Sequence, residues 1–94
     1  MTWGTEIEQE VKRRINVCVW AYAYEIRNDP LVSDDVFDTE CLLVDLDILT
    51  GHDELDTFFM CHFAPHTGMW IHSHPDLKGI ERIYTLKKNR NGAT

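Results

Sequence analysis

The sequence predicts an all-α domain of about four short helices, opening on an N-terminal helical hairpin. Three observations carry that expectation. Apolar residues recur at steps of three and four, nothing alternates with period two for long, and the breaks fall at proline and glycine. With 94 residues, one domain is expected, set as 1–88 followed by a flexible tail at 89–94. Such a chain buries roughly 60–65% of its unfolded surface. The apolar set is 44% and charged residues 27%, which favours folding over disorder.

The first helix is read from Ile7, Val11, Ile15, Cys18, Tyr22 and Ile26, which line one helical face. Glu6, Glu8 and Glu10 sit in the early turns, where the helix dipole favours acids. Glu8 with Lys12 and Glu10 with Arg14 are i,i+4 pairs in the favoured order. Val19 and Trp20 widen the apolar stripe, so the second half should be the more buried. Asn28-Asp29-Pro30 ends the helix, because a residue before proline is pushed out of the α region.

A second helix is expected from Ser33, a good N-cap followed by Asp34 and Asp35 in the first turn. Phe37, Cys41, Val44 and Ile48 form one stripe, and Leu42, Leu46 and Leu49 another. That width suggests a central helix packed on two sides, stopping at Gly51. A third helix is expected from about Asp53 to His62, with Leu55, Phe58, Phe59 and Cys61 as its apolar members. The turn APHTGMW follows. The last helix starts near Ser73-His74-Pro75-Asp76, with serine or histidine at the cap and proline in its first turn, and continues through Leu77, Ile80, Ile83 (or Tyr84) and Leu86-Lys87.

Charge is distributed unevenly. Net charge is −7, yet from Asn28 to Leu77 there is no Lys or Arg, while that stretch holds eleven acids. Five of the nine basic residues follow it: Lys78, Arg82, Lys87, Lys88 and Arg90. The resulting acidic body repels nucleic acid and attracts cationic groups or basic protein surfaces. The basic tail gives at best a weak, salt-sensitive nucleic-acid contact. No run of about 18 apolar residues exists, so no membrane span is expected. The acidic N-terminus MTWGTEIEQE is neither a secretory signal nor a transit peptide, so a cytoplasmic protein is expected.

Cys18, Cys41 and Cys61 make no C-x-x-C pair and read as buried reduced thiols. All five histidines, His52, His62, His66, His72 and His74, fall between positions 52 and 74. Cys61, His66, His72 and His74 offer four zinc-type ligands, but no pair has finger spacing, and no metal is expected. Cys61 and His62 are adjacent on a helix and point about 100° apart, so they do not form a nucleophile pair. Trp70, in Thr67-Gly68-Met69-Trp70-Ile71, is either a plug closing the core or an exposed anchor for a partner. Trp3 and Trp70 leave room for a homodimer.

One further pattern runs from Tyr22 to Asp38. Two aromatics late in a helix, Tyr22 and Tyr24, precede the Asn28-Asp29-Pro30 turn, then Ser33-Asp34 and Phe37-Asp38 open the next helix. This resembles the small helical Ia subdomain of NAD-dependent DNA ligases, covering about twenty residues well and residues 5–50 loosely. In that family the subdomain caps the nicotinamide mononucleotide (NMN) half of NAD. The resemblance implies a nicotinamide-nucleotide site at Tyr22, Tyr24, Asp34, Phe37 and Asp38, with a fold built on the same hairpin. Two departures stand out: Glu25 replaces a common histidine, and Phe37 a common tyrosine. The nucleophilic lysine of a K-x-D-G motif is missing, so the chain is not a ligase by itself, and no catalytic residue is expected. Small stand-alone proteins with this helix pair are typical of phage and prophage genomes. The stretch F-x-P-x-T-G-M-W-I-H-x-H-P, Phe63 to Pro75, resembles a motif of those proteins.

Three functional expectations follow. The first is a non-catalytic phage-type accessory protein that binds a basic protein partner through Asp34, Asp35, Asp38, Glu40 and Trp70. Such a surface can mimic DNA and inhibit a host nucleic-acid enzyme or CRISPR effector. The alternative is a nicotinamide-nucleotide (NMN or NAD) binding module. The third is a small zinc-stabilised domain.

Overall fold

A computed structural model describes residues 6–65 and 67–92, with side chains through 89. Trp3, His66 and residues 93–94 lie outside the described residues. The described chain is all-helical: α1 (Glu6–Glu25), α2 (Asp34–Leu43), α3 (Asp53–His62), a 3-10 turn at Met69–Ser73, and α4 (Leu77–Gly92). No helix among the described residues is long and apolar enough to cross a membrane.

The central element is α1, against which α2, α4 and the 3-10 turn all pack. Its second half supplies Val17, Cys18, Val19, Ala21, Tyr22 and Ala23 to the core, as its widened apolar stripe predicts. Ile7 and Ile26, at the two ends of that stripe, are exposed instead. The buried face continues toward the N-terminus through charged residues, Glu10 at 0% and Arg14 at 6% exposure. The i,i+4 pair expected from sequence therefore forms inside the protein.

Arg14 Nε donates to Glu10 Oε2 at 2.7 Å, and Arg14 Nη1 donates to Asp56 Oδ1 of α3 at 3.0 Å. Arg14 Nη2 donates to the backbone carbonyls of Asp45 (2.7 Å) and Ile48 (2.9 Å). The Asp45 N–H donates to Glu10 Oε2 at 3.0 Å, and Thr50 donates to Asp56 through both its N–H and its hydroxyl. A buried guanidinium needs its donors satisfied, and here the satisfaction is nearly complete.

This network explains the main departure from the expected helices. The second helix does not run to Leu49 and is not packed on two sides. It ends at Leu43, with Val44 extended as its C-cap (φ −61°, ψ 127°), and only Cys41 is fully buried. Leu42, Leu43 and Leu49 are exposed. After Val44 the chain turns, with the Ile48 N–H donating to the Asp45 carbonyl at 3.2 Å, and this turn presents the Asp45 and Ile48 carbonyls to Arg14. Gly51 does turn the chain (φ +87°), but well beyond the helix end.

The third helix matches its expected bounds and carries Phe58 and Phe59 into the core. Cys61, expected buried, is exposed, whereas Cys18 and Cys41 are buried free thiols. Burial pushes both of these up, Cys41 to about 12 with help from Asp38 and Glu40, so they are unreactive. Trp70 closes the core. Its ring centroid lies 5.1 Å from Phe63 and 5.8 Å from Phe59, and its indole N–H donates to the Thr67 carbonyl. As a plug it leaves no indole face for a partner, which removes it from the expected partner surface.

Candidate functional site

The end of α1 is shaped by the turn at residues 26–33. The Arg27 N–H reaches back to the Tyr22 carbonyl, and the Asp29 N–H donates to the Ala23 carbonyl at 2.8 Å. Asn28 takes the left-handed conformation (φ +50°), where asparagine is among the better-tolerated residues. Asp29 is held from α4: Tyr84 donates its hydroxyl at 2.8 Å, and Lys88 Nζ lies 2.8 Å from the same oxygen. The Lys88 and Tyr84 bonds hold the Asp29 carboxyl below its ordinary range. Ser33 then caps α2, its Oγ accepting from the Val36 N–H at 3.3 Å.

This turn opens a cleft of about 360 Å³ between the last turns of α1 and the first turns of α2. Its apolar lining includes Trp20, Ala21, Leu31 and Phe37. Tyr24, Glu25, Asp34 and Asp38 add a phenol and three carboxylates. The opposite wall is Thr67, Gly68 and Met69. Gly68 lets this wall approach closely: a Cβ at this position would meet Ala21 Cβ at 3.3 Å and Glu25 Cγ at 3.5 Å, so Ala21 would have to give by a few tenths of an ångström.

Of the five residues expected to contact a nicotinamide nucleotide, four share this cleft: Tyr24, Asp34, Phe37 and Asp38. Tyr22 does not. It is 5% exposed, accepts from Arg27 Nε at 2.9 Å and meets the Tyr84 ring edge-on at 5.4 Å. Tyr24 is 52% exposed, so its ring is available to a ligand. Residues two apart on a helix point to opposite sides, so only one of the two tyrosines reaches the cleft. Sequence reasoning misses Trp20, Ala21, Pro30, Leu31 and Val32 as cleft residues. The Thr67-Gly68-Met69 wall belongs to the Phe63–Pro75 motif, and no local signal in the sequence ties it to Tyr24.

Electrostatically the cleft is one-sided. Among the described residues, no lysine or arginine lines it. His72 Nε2 lies 3.6 Å from Glu25 Oε1 on the outer side. Among the described residues, no three His, Cys, Asp or Glu side chains converge on a point that could hold a metal. The carboxylates instead surround a space much larger than an ion. Of the four zinc-type side chains weighed in the sequence, Cys61 is exposed, His72 faces Glu25, His74 accepts the Asp76 N–H at Nδ1 (2.9 Å), and His66 lies outside the described residues.

A second cavity of about 260 Å³ lies between α1, α3 and α4, lined by Val11, Ile15, Phe59, Ile80 and Ile83 with Arg14 at one side. Thr50, His52, His74 and Asp76 add polar groups to its lining, while the Arg14 donors are committed to the buried network.

No protein-family model, curated protein or solved structure matches the chain.

Proposed function

We propose that the protein is a non-catalytic binding protein whose α1–α2 cleft takes the nicotinamide half of a pyridine nucleotide such as NMN or NAD. The observation that carries this reading is the meeting of Tyr24, Asp34, Phe37 and Asp38 in one cleft, with Trp20 as a further aromatic wall. An oxidised nicotinamide ring is flat and positively charged. Aromatic faces attract such a ring by about 0.5–2 kcal/mol each. The carboxylates accept hydrogen bonds from its carboxamide and from ribose hydroxyls. Bound pyridinium quenches a neighbouring indole, so Trp20 reports occupancy. Titrating the protein with NMN should quench tryptophan fluorescence saturably, and Tyr24→Ala should weaken the saturation severalfold. Quenching that stays linear in ligand, as collision alone gives, would contradict the reading.

A second reading is favoured by Asp34, Asp35 and Asp38. They are exposed on one end of α2, and no basic side chain among the described residues pairs with them. Such a surface suits a basic protein partner, as in a phage-type accessory protein that imitates DNA phosphates before a host nucleic-acid enzyme or CRISPR effector. Glu40 contributes less, because Arg13 Nε lies 3.5 Å from it. Reversing Asp34, Asp38 and Glu40 to lysine should leave the helical content intact and abolish partner capture; capture that survives reversal rules this surface out.

A further inference from the structure

We infer that the α1–α2 cleft selects a phosphate-free nicotinamide riboside cation over the phosphorylated mononucleotide. This inference rests on the nicotinamide reading above and narrows its ligand class. Three features of the cleft lead to it.

The first is the charge of the lining. Glu25, Asp34 and Asp38 place three carboxylates around a cavity of about 360 Å³. Among the described residues, the lining has no lysine or arginine with which a phosphate could pair. A phosphate monoester carries about −1.5 to −2 charges at neutral pH. The carboxylates among the lining residues repel such a group.

The second is the state of the α2 N-terminus, which would otherwise be the natural anion site. One of its orphan N–H groups is already served, with Ser33 Oγ accepting from the Val36 N–H, and the first bond of the helix ladder runs from the Phe37 N–H to the Ser33 carbonyl. Asp34 and Asp35 in the first turn supply the negative charge that the dipole attracts. On the other side, the cleft meets the C-terminal end of α1 at Tyr24 and Glu25, where the dipole favours a cation.

The third is the aromatic lining. Trp20, Tyr24 and Phe37 stabilise a positive ring without asking for a second charge. A ligand with a cationic ring and a neutral, hydroxyl-bearing sugar meets every feature of the cleft. Adding a phosphate keeps the ring contacts and introduces repulsion at the rim. At low ionic strength that repulsion weakens binding about tenfold, and salt reduces the difference.

The test is isothermal titration of the full chain with three probes: nicotinamide riboside, NMN and reduced nicotinamide riboside. The expected order puts the oxidised riboside about tenfold ahead of the mononucleotide. The reduced riboside, whose ring is neutral, should bind weakest or not at all. In the variant carrying Asp34→Asn and Asp38→Asn, checked for native helicity by circular dichroism, the gap between riboside and mononucleotide should shrink severalfold. Mononucleotide binding as tight as riboside binding, or a gap unchanged in the variant, overturns this inference and leaves the nicotinamide reading standing. No binding of any probe at millimolar concentration overturns both.

Discussion

Two groups of carboxylates sit at opposite ends of α1 and behave differently. Near its N-terminal half, Glu10 and Asp56 are buried and share Arg14, which also holds the Asp45 and Ile48 carbonyls. Near its C-terminal end, Glu25, Asp34 and Asp38 surround an open cleft with no internal guanidinium or ammonium among the described residues. The chemistry of the side chains is the same. What differs is whether the chain supplies the cation. Where it does, the acids organise the fold; where it does not, they line an open cleft, the site proposed above for a positively charged ligand.

The strongest way to break this contrast is to remove the internal cation. Arg14→Ala strands two buried carboxylates and frees the 44–50 segment, so it should cost about 3–5 kcal/mol of stability. Urea denaturation checks this, and a loss under about 1 kcal/mol would mean that water replaces the guanidinium without difficulty.

Acid offers a graded version of the same test. Burial alone would raise the Asp56 carboxyl, but the Thr50 hydrogen bonds and the Arg14 charge outweigh it and hold that carboxyl below its ordinary value. Its contribution is therefore present above the unfolded value of about 3.9 and is lost as pH falls through the folded value. His74 shifts downward mainly through burial, and it sits edge-on to Phe58 at 4.9 Å. Its contribution is complete above the unfolded value of about 6.5 and is also lost on acidification. Urea midpoints should thus start to decline below about pH 6.5 and fall further below about pH 4. Replacing His74 with Asn should flatten the first part of that decline. A protein that gains stability between pH 7 and pH 5 would contradict the assignment.

The smallest expected effect sharpens the other side of the comparison. Neutralising Asp34 and Asp38 together should change stability by no more than about 0.5 kcal/mol, since both are exposed and unpaired. Relief of the repulsion between like charges one turn apart and loss of the dipole contact at Asp34 are each about a few tenths of a kcal/mol and oppose one another. Chemical denaturation beside the Arg14 variant puts the two regions on one scale. A large loss would show that these aspartates hold the hairpin together.

The contrast also explains which parts of the molecule were legible in sequence. Helix spacing, the Asn28-Pro30 break, the Ser33 cap and the bounds of α3 depend on neighbours within a few residues, and these were readable. The end of α2 was not, because it depends on a guanidinium some thirty residues earlier in the chain. The apolar pattern through Leu49 continues past Leu43 into a segment whose Asp45 and Ile48 carbonyls bond Arg14. Glu10 and Arg14 matched the i,i+4 pattern of a surface pair, and their burial becomes visible only once Asp56 arrives from α3. In the cleft, the Tyr24–Asp38 pattern was readable as a unit. The opposite wall was not, since Gly68 reaches Ala21 only after the chain has passed through α3. The separation of Tyr22 from Tyr24 could have been foreseen, because one helical face cannot hold both.

The most direct measurement is a two-dimensional amide NMR titration of isotope-labelled protein with NMN and with NAD. The account expects saturable shifts at Tyr24, Asp34, Phe37, Asp38 and Gly68, and none at Arg14, Asp45 or Asp56. No shift at millimolar ligand, or shifts centred on the buried Arg14 network, would contradict the assignment of the α1–α2 cleft as the binding site.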